Sequence, residues 1–129
     1  MAKKSDECPC GRGKGLAACC GRYHGGEAAP DAETLMRSRY TAYALGLEAY
    51  LLATWHPSTR PATLGLATEI PPKWLGLDVK RFAQQDETHA TVAFVARYKV
   101  GGRAHRLQES SRFVKEDGRW FYVDGDVAD

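Results

Sequence analysis

The 129-residue chain has no apolar run approaching the ~18 residues that cross a bilayer, which argues against a helical membrane anchor. It has no run of five like charges, and 18 basic against 16 acidic residues leave a formal net charge of only +2. A generally basic, polyanion-seeking surface is therefore not written into the composition. Two lysines open the chain without an apolar segment behind them, so the start does not read as a secretory signal and a cytoplasmic protein is expected. Cysteine shows the sharpest deficit. Residues 21–129 contain none, and all four cysteines fall between Cys8 and Cys20. The length suits one domain, or one domain with a small appendage, and can bury a real core.

Cysteines placed to staple a core would be scattered, because a disulfide gains most by closing a long loop. Cys8-Pro9-Cys10, eight residues, then Cys19-Cys20 are instead placed for one another. Tetrahedral zinc takes four soft ligands, with sulfur at ~2.3 Å, and forces the chain to wrap one point. Gly11, Gly13, Gly15 and Gly21 lie beside these cysteines and offer residues free to adopt positive φ, while Pro9 stiffens the first pair. Arg12, Lys14 and Arg22 would offset thiolate charge. Two disulfides are the first competing reading, disfavoured by a reducing compartment and by the strained link that adjacent Cys19 and Cys20 would need. A redox pair lacks the C-x-x-C helix start, and a phosphate loop lacks its strand and its Gly-Lys-Ser/Thr ending. Cys8, Cys10, Cys19 and Cys20 are the expected ligands of one structural Zn2+. His24, four residues after Cys20, stays open as a substitute fourth ligand. Four protein ligands close the coordination sphere, so such a site shapes a knuckle and does not hydrolyse. Residues 8–24 would then be a rigid surface for docking a protein partner. Zinc with four thiolates would also cancel the small positive excess of the chain.

The run Cys8-Pro9-Cys10-Gly11-Arg12-Gly13-Lys14, closed by Cys19-Cys20-Gly21, resembles the SEC-C motif, whose C-x-C-x8-C-[HC] array binds zinc. In the C-terminal tail of the bacterial preprotein translocase ATPase that motif contacts the export chaperone. Cys20 stands here where that tail usually has His, and Arg12 where Ser is common. Further segments extend the likeness: Leu-Met-Arg-Ser-Arg-Tyr-Thr-Ala-Tyr (35–43), Thr-Trp-His-Pro (54–57), Trp-Leu-Gly-Leu (74–77), Phe-Val-Ala-Arg-Tyr (94–98), Glu-Ser-Ser-Arg-Phe (109–113) and Gly-Arg-Trp-Phe-Tyr-Val-Asp-Gly (118–125). Together they resemble the bacterial YchJ family. The resemblance implies a SEC-C motif over 1–27 fused to a nuclear transport factor 2-like, or cystatin-like, domain over 28–129. That fold commonly holds a pocket between helix and sheet.

The residues point to the same architecture. Ala28-Ala29-Pro30 reads as a linker and Asp31 as an N-cap. Met36, Tyr40, Tyr43 and Leu47 recur at helical spacing, and Gly46 divides the run into helices of about 31–45 and 47–54. Pro57 ends the helical part, and four prolines over 57–73 imply a loop with a short helical turn at 63–68. Beyond Trp74 the pattern alternates: Leu77 and Val79, then Val92, Phe94, Ala96 and Tyr98. Gly101-Gly102 and Glu116-Asp117-Gly118 mark turns, with strands of about 104–115 and 119–124 around the second. The expected fold is α+β: a zinc knuckle, then two to three helices packed on a curved four-stranded antiparallel sheet as a cone.

Within a cone, Arg37, Arg39, Tyr40, His56, Arg97, His105, Glu109, Arg112, Tyr122 and Asp124 are the polar residues that could line a pocket; His56 or Asp124 could serve as a general base, with Arg97 and Tyr40 orienting a substrate. Each has a blander role. His56 sits at a helix end, Asp124 before Gly125 suits a turn, and Tyr40 has core spacing. Arg97, Glu109 and Arg112 suit cross-strand pairs. No local motif specifies a reaction. The leading reading is a zinc-binding interaction or ligand-binding module, able to hold a small ligand in the cone. The alternative is a small-molecule hydrolase, dehydratase or isomerase. Single-stranded nucleic acid is the weakest reading, since Lys3, Lys4, Arg12, Lys14 and Arg22 come with only Tyr23 for stacking.

Overall fold

The computed structural model describes residues 7–66 and 72–128. A single 3-10 turn (Leu16–Ala18) and helix α1 (Cys20–His24) follow the first cysteines. Helices α2 (Ala32–Leu45) and α3 (Glu48–Ala53) come next, then strands β1 (Lys73–Gln84), β2 (His89–Val100), β3 (Arg103–Glu116) and β4 (Arg119–Ala128). The strands form one antiparallel meander in the order β1-β2-β3-β4. The α+β order expected from the sequence is the order found.

Local chemistry explains the boundaries. Asp31 Oδ1 accepts from the Thr34 amide at 2.7 Å, satisfying one of the donors that a helix start leaves open. Gly46 closes α2 in the left-handed region at φ 74°, and α3 starts after Leu47 without a side-chain cap. Gly101 and Gly102, at φ 57° and 81°, make a two-residue turn whose twist matches the flanking strands. Asp117 and Gly118 repeat that geometry between β3 and β4.

One stripe of α2, with Leu35, Met36 and Tyr40, packs on the inward row of Leu77, Val92, Phe94, Ala96, Phe113 and Trp120. Each such Leu, Met, Val or Phe side chain contributes about 1.5–3 kcal/mol when fully buried. Helix α3 is tied to α2 by Arg39, whose Nη1 donates to Leu51 O at 2.8 Å and Thr54 Oγ1 at 2.6 Å. Residues 54–56 then pair with the outer edge of β4: Tyr122 N donates to Thr54 O and His56 N to Tyr122 O. That contact covers an edge which would otherwise present unpaired backbone groups.

Three expectations change. Residues 63–66 form no helical turn, and the rest of the turn expected at 63–68 lies outside the described residues. Among the knuckle glycines, Gly11 and Gly13 take positive φ, but Gly15 is extended at φ −65° and Gly21 is helical. Gly21 is needed for space instead, since a Cβ there would lie 2.7 Å from Leu16 O. Strand β4 runs past the expected end at 124, so Asp124 is a strand residue and not a turn residue.

Replacing Asp31 with Ala should lower stability by about 0.5–2 kcal/mol, and with Asn by much less, because Asn retains the capping oxygen. Equilibrium urea unfolding followed by circular dichroism measures both.

Candidate functional site

The four cysteine sulfurs all lie within 4.8 Å of one another. Cys8, Cys10, Cys19 and Cys20 are each no more than 6% exposed, and all four are free thiols. Four sulfurs ~2.3 Å from a central ion would stand about 3.8 Å apart, so little movement separates this cluster from a tetrahedron. Cys10 and Cys19 Sγ are already 3.5 Å apart. A small hairpin delivers the first pair: Cys8 N donates to Lys14 O at 2.8 Å and Gly11 N to Cys8 O at 3.3 Å. The 3-10 turn and the first residue of α1 deliver the second pair.

Helix α2 closes the cluster from the other side. Thr41 is fully buried, and its hydroxyl donates to Cys20 Sγ at 3.3 Å while lying 3.6 Å from Cys8 Sγ. Arg37 Nη1 donates to Cys10 O at 2.8 Å. His24 is turned to the same helix, with Nε2 2.9 Å from Ser38 O, and Cys20 supplies the fourth sulfur of the cluster. Packing thiols together separates their acidities. Hydrogen bonds from Cys10 and Cys20 pull the Cys8 thiol far down, with Thr41 adding to the effect. Burial pushes the Cys19 thiol up to about 11. Cys20 also moves up, through its sulfur neighbours first and burial second. Thiols packed this closely cannot all ionise together without a cation among them. A soft divalent ion would displace the protons and let all four sulfurs ionise.

A second site lies inside the cone, in a cavity of about 280 Å³ between α2 and the sheet. Tyr40 lines it, with Tyr43, Trp74, Phe94, Phe113 and Tyr122 as further aromatic walls. Its charged groups are Arg39 and Glu109. Arg39 is 5% exposed and lies over the Trp55 and Tyr122 rings at 5.2 and 4.6 Å; burial lowers its pKa. Glu109 Oε2 accepts from Ser111 Oγ at 2.6 Å and Tyr122 OH at 3.2 Å. Burial, then the neighbouring carboxylate, pushes the Tyr122 phenol up and keeps it protonated as a donor.

Of the ten polar residues that could line a pocket, Arg39, Tyr40, Glu109 and Tyr122 line this cavity, but of the four singled out for chemistry (His56, Asp124, Arg97 and Tyr40) only Tyr40 does. Arg97 faces outward and pairs with Asp78 at 2.6 Å. His56 bonds Glu116 at 2.5 Å and shares a shallow outer depression with Asp124. Asp124 pairs with Arg112 at 2.5 Å across β3 and β4, and Asp126 adds a second contact to Arg112 at 2.8 Å. A bulge explains Asp124. The register slips between Arg112 and Phe113, so Val123 is unpaired, and Asp124 leaves the face that Tyr122 occupies. Glu109 reads as a pair partner, yet the row Leu107, Glu109, Ser111, Phe113 puts it inward. Thr41 has no sequence signal, because its sulfur partners are 21 and 33 residues away.

A four-cysteine knuckle fastened to an α+β cone defines a SEC-C motif joined to a nuclear transport factor 2-like domain. Comparison agrees: residues 31–125 match the family model described as YchJ, middle NTF2-like domain, and residues 5–22 match the SEC-C motif. The chain belongs to this YchJ family. A UPF0225 protein of Ralstonia nicotianae is 61% identical, covering 93% of this chain and 90% of its own. Another from Chromobacterium violaceum is 63% identical over 94% and 93% of the two chains. The solution structure of a SEC-C motif containing protein from Rhodopseudomonas palustris superposes with a TM-score of 0.80 at 34% identity, covering 95% of this chain and 98% of that one. A crystal structure of a SEC-C motif containing protein from Psychrobacter arcticus gives 0.74 at 27% identity, over 95% and 82%.

Gly125 faces Glu109 closely, and a Cβ there would overlap the carboxylate at Oε2. Gly125→Ala should therefore displace the carboxylate from Ser111 and Tyr122 and cost about 1–3 kcal/mol. In a Glu109→Ala background most of that cost should vanish, and a double-mutant cycle by urea unfolding reads the coupling.

Proposed function

We propose that this protein is a zinc-binding interaction module of the cytoplasm, with a knuckle over residues 1–27 and a cone over 28–129. One structural Zn2+ held by Cys8, Cys10, Cys19 and Cys20 shapes the knuckle. The observation that carries the reading is the convergence of four buried thiols, a soft donor set at tetrahedral spacing with no oxygen ligand among them. Such a closed site leaves no open position for a reacting water, so its work is mechanical. Free thiols gathered in this way also suit a reducing compartment.

The partner is a protein, bound through the outer rim of residues 8–24. While the sulfurs point inward, Gly11 to Gly15 are exposed, with Arg12 and Lys14 among them, and Ala17 and Ala18 are exposed beside them. Arg37 and Thr41 clamp the other side of the knuckle to α2, so the rim meets a partner pre-shaped.

Metal analysis combined with thiol titration tests the zinc claim. Native protein should carry about one zinc per chain, with its thiols unreactive until chelation. Four freely reactive thiols in folded, metal-free native protein would sink it. Thr41→Val should lower zinc affinity about tenfold or more in a competition titration, because it removes the hydroxyl that steadies Cys20 and Cys8. For docking, Lys14→Glu with Ala17→Glu should release a captured partner while leaving zinc content intact. Unchanged capture would place the contact elsewhere.

A further inference from the structure

One carboxylate inside the cone cavity is held by three neighbours, Ser111, Tyr122 and Gly125. Glu109 lies in the inward row of β3 between Leu107 and Ser111, where alternation would favour an apolar residue. Two hydroxyls both donate to its Oε2, fixing the group. Its Oε1 accepts from no donor among the described residues, and neither does the Tyr43 hydroxyl make a hydrogen bond there. Gly125 supplies the space that the carboxylate occupies. A half-buried carboxylate so held, with one oxygen left over, is an acceptor waiting for a donor.

The charge of the cavity limits what that donor can be. Arg39 and Glu109 form no direct ion pair; Tyr122 stands between them, its ring under the guanidinium and its hydroxyl on the carboxylate. One buried cation and one carboxylate leave the lining neutral. A neutral lining gives neither a cation nor an anion a net Coulombic gain, so a charged ligand would lose its hydration without compensation. The walls fix the shape: six aromatic rings with Met36, Ala96 and Leu107 suit a flat, largely apolar body.

We infer that the cone cavity binds a flat, uncharged aromatic heterocycle that donates a ring N–H to Glu109 Oε1. This does not depend on the zinc reading, since no cysteine lines the cavity.

The test is an NMR titration of the full-length 15N-labelled protein with indole, a flat bicycle with one ring N–H. Indole should shift the amides of Trp74, Ala96, Glu109 and Tyr122 and leave those of the outer sheet face unmoved. Benzofuran keeps the outline without the donor, and 1-methylindole puts a methyl in the donor's place; both should bind at least about tenfold more weakly, since they would displace water from the carboxylate without pairing it. Tryptamine and indole-3-acetate, the cationic and anionic relatives, should also bind more weakly than indole. Glu109→Gln, which keeps an acceptor but loses the charge, should weaken indole several-fold and narrow its advantage over benzofuran. Ala96→Leu fills the cavity and should abolish the shifts while the spectrum stays dispersed. Equal binding of indole and benzofuran would overturn the inference, as would the absence of cavity shifts at millimolar indole. Tighter binding of either charged relative would overturn its charge argument.

Discussion

Helix α2 is the constraint on which the rest of the structure depends, because it serves two interiors at once. Thr41, Ser38 and Arg37 share one stripe, and they meet Cys8 and Cys20, His24 and the Cys10 carbonyl. Met36, Arg39, Tyr40 and Tyr43 occupy the opposite stripe and roof the cone cavity. The 3.6-residue repeat sends successive side chains to the two sides. A knuckle of some twenty residues has too little apolar surface to fold alone. It becomes part of a larger body by gathering its four thiols on one side and packing against α2 on the other.

The two interiors stabilise by different means. The cone has an ordinary core of Leu35, Val92, Phe94, Phe113 and Trp120, where burial of apolar area dominates. The knuckle has sulfur at its centre, and without a cation its four thiols compete for protons, Cys8 moving down and Cys19 and Cys20 up. Arg39 shows the reverse economy. A guanidinium in an apolar interior is held by two oxygens and two aromatic faces, with Glu109 balancing its charge beyond Tyr122. The result is a cavity with polar groups that are charged, separated and fixed.

Much of the fold is legible in the sequence because its signals are local. Asp31 caps, Gly46 terminates, Gly101-Gly102 turns, and the strand alternation names an inward row. The cysteine spacing is legible for the same reason, since soft donors crowded into one short segment can all reach a common point. Candidate cavity residues are harder to read. Arg97 can be set aside on pattern alone, since Ala96 and Tyr98 beside it already point inward. Asp124 cannot, because a one-residue bulge at Val123 reverses its face and no residue type announces a bulge there. Glu109 reads both as a pocket candidate and as a cross-strand pair partner, and its place in an apolar row is what decides between them.

What the sequence alone determined is what depends on neighbours along the chain: which residues cap and turn, how the strands alternate, and that four thiols belong to one site. Hydrogen bonds between near neighbours and the pitch of a helix or strand act over a few residues, so they survive translation into letters. Only the tertiary structure decided that Thr41 reaches the sulfurs and that Glu109 beneath Gly125 faces a cavity. Those outcomes turn on register, on one bulge and on the close approach of distant segments. Contacts between residues far apart in sequence exist only once the whole chain has packed.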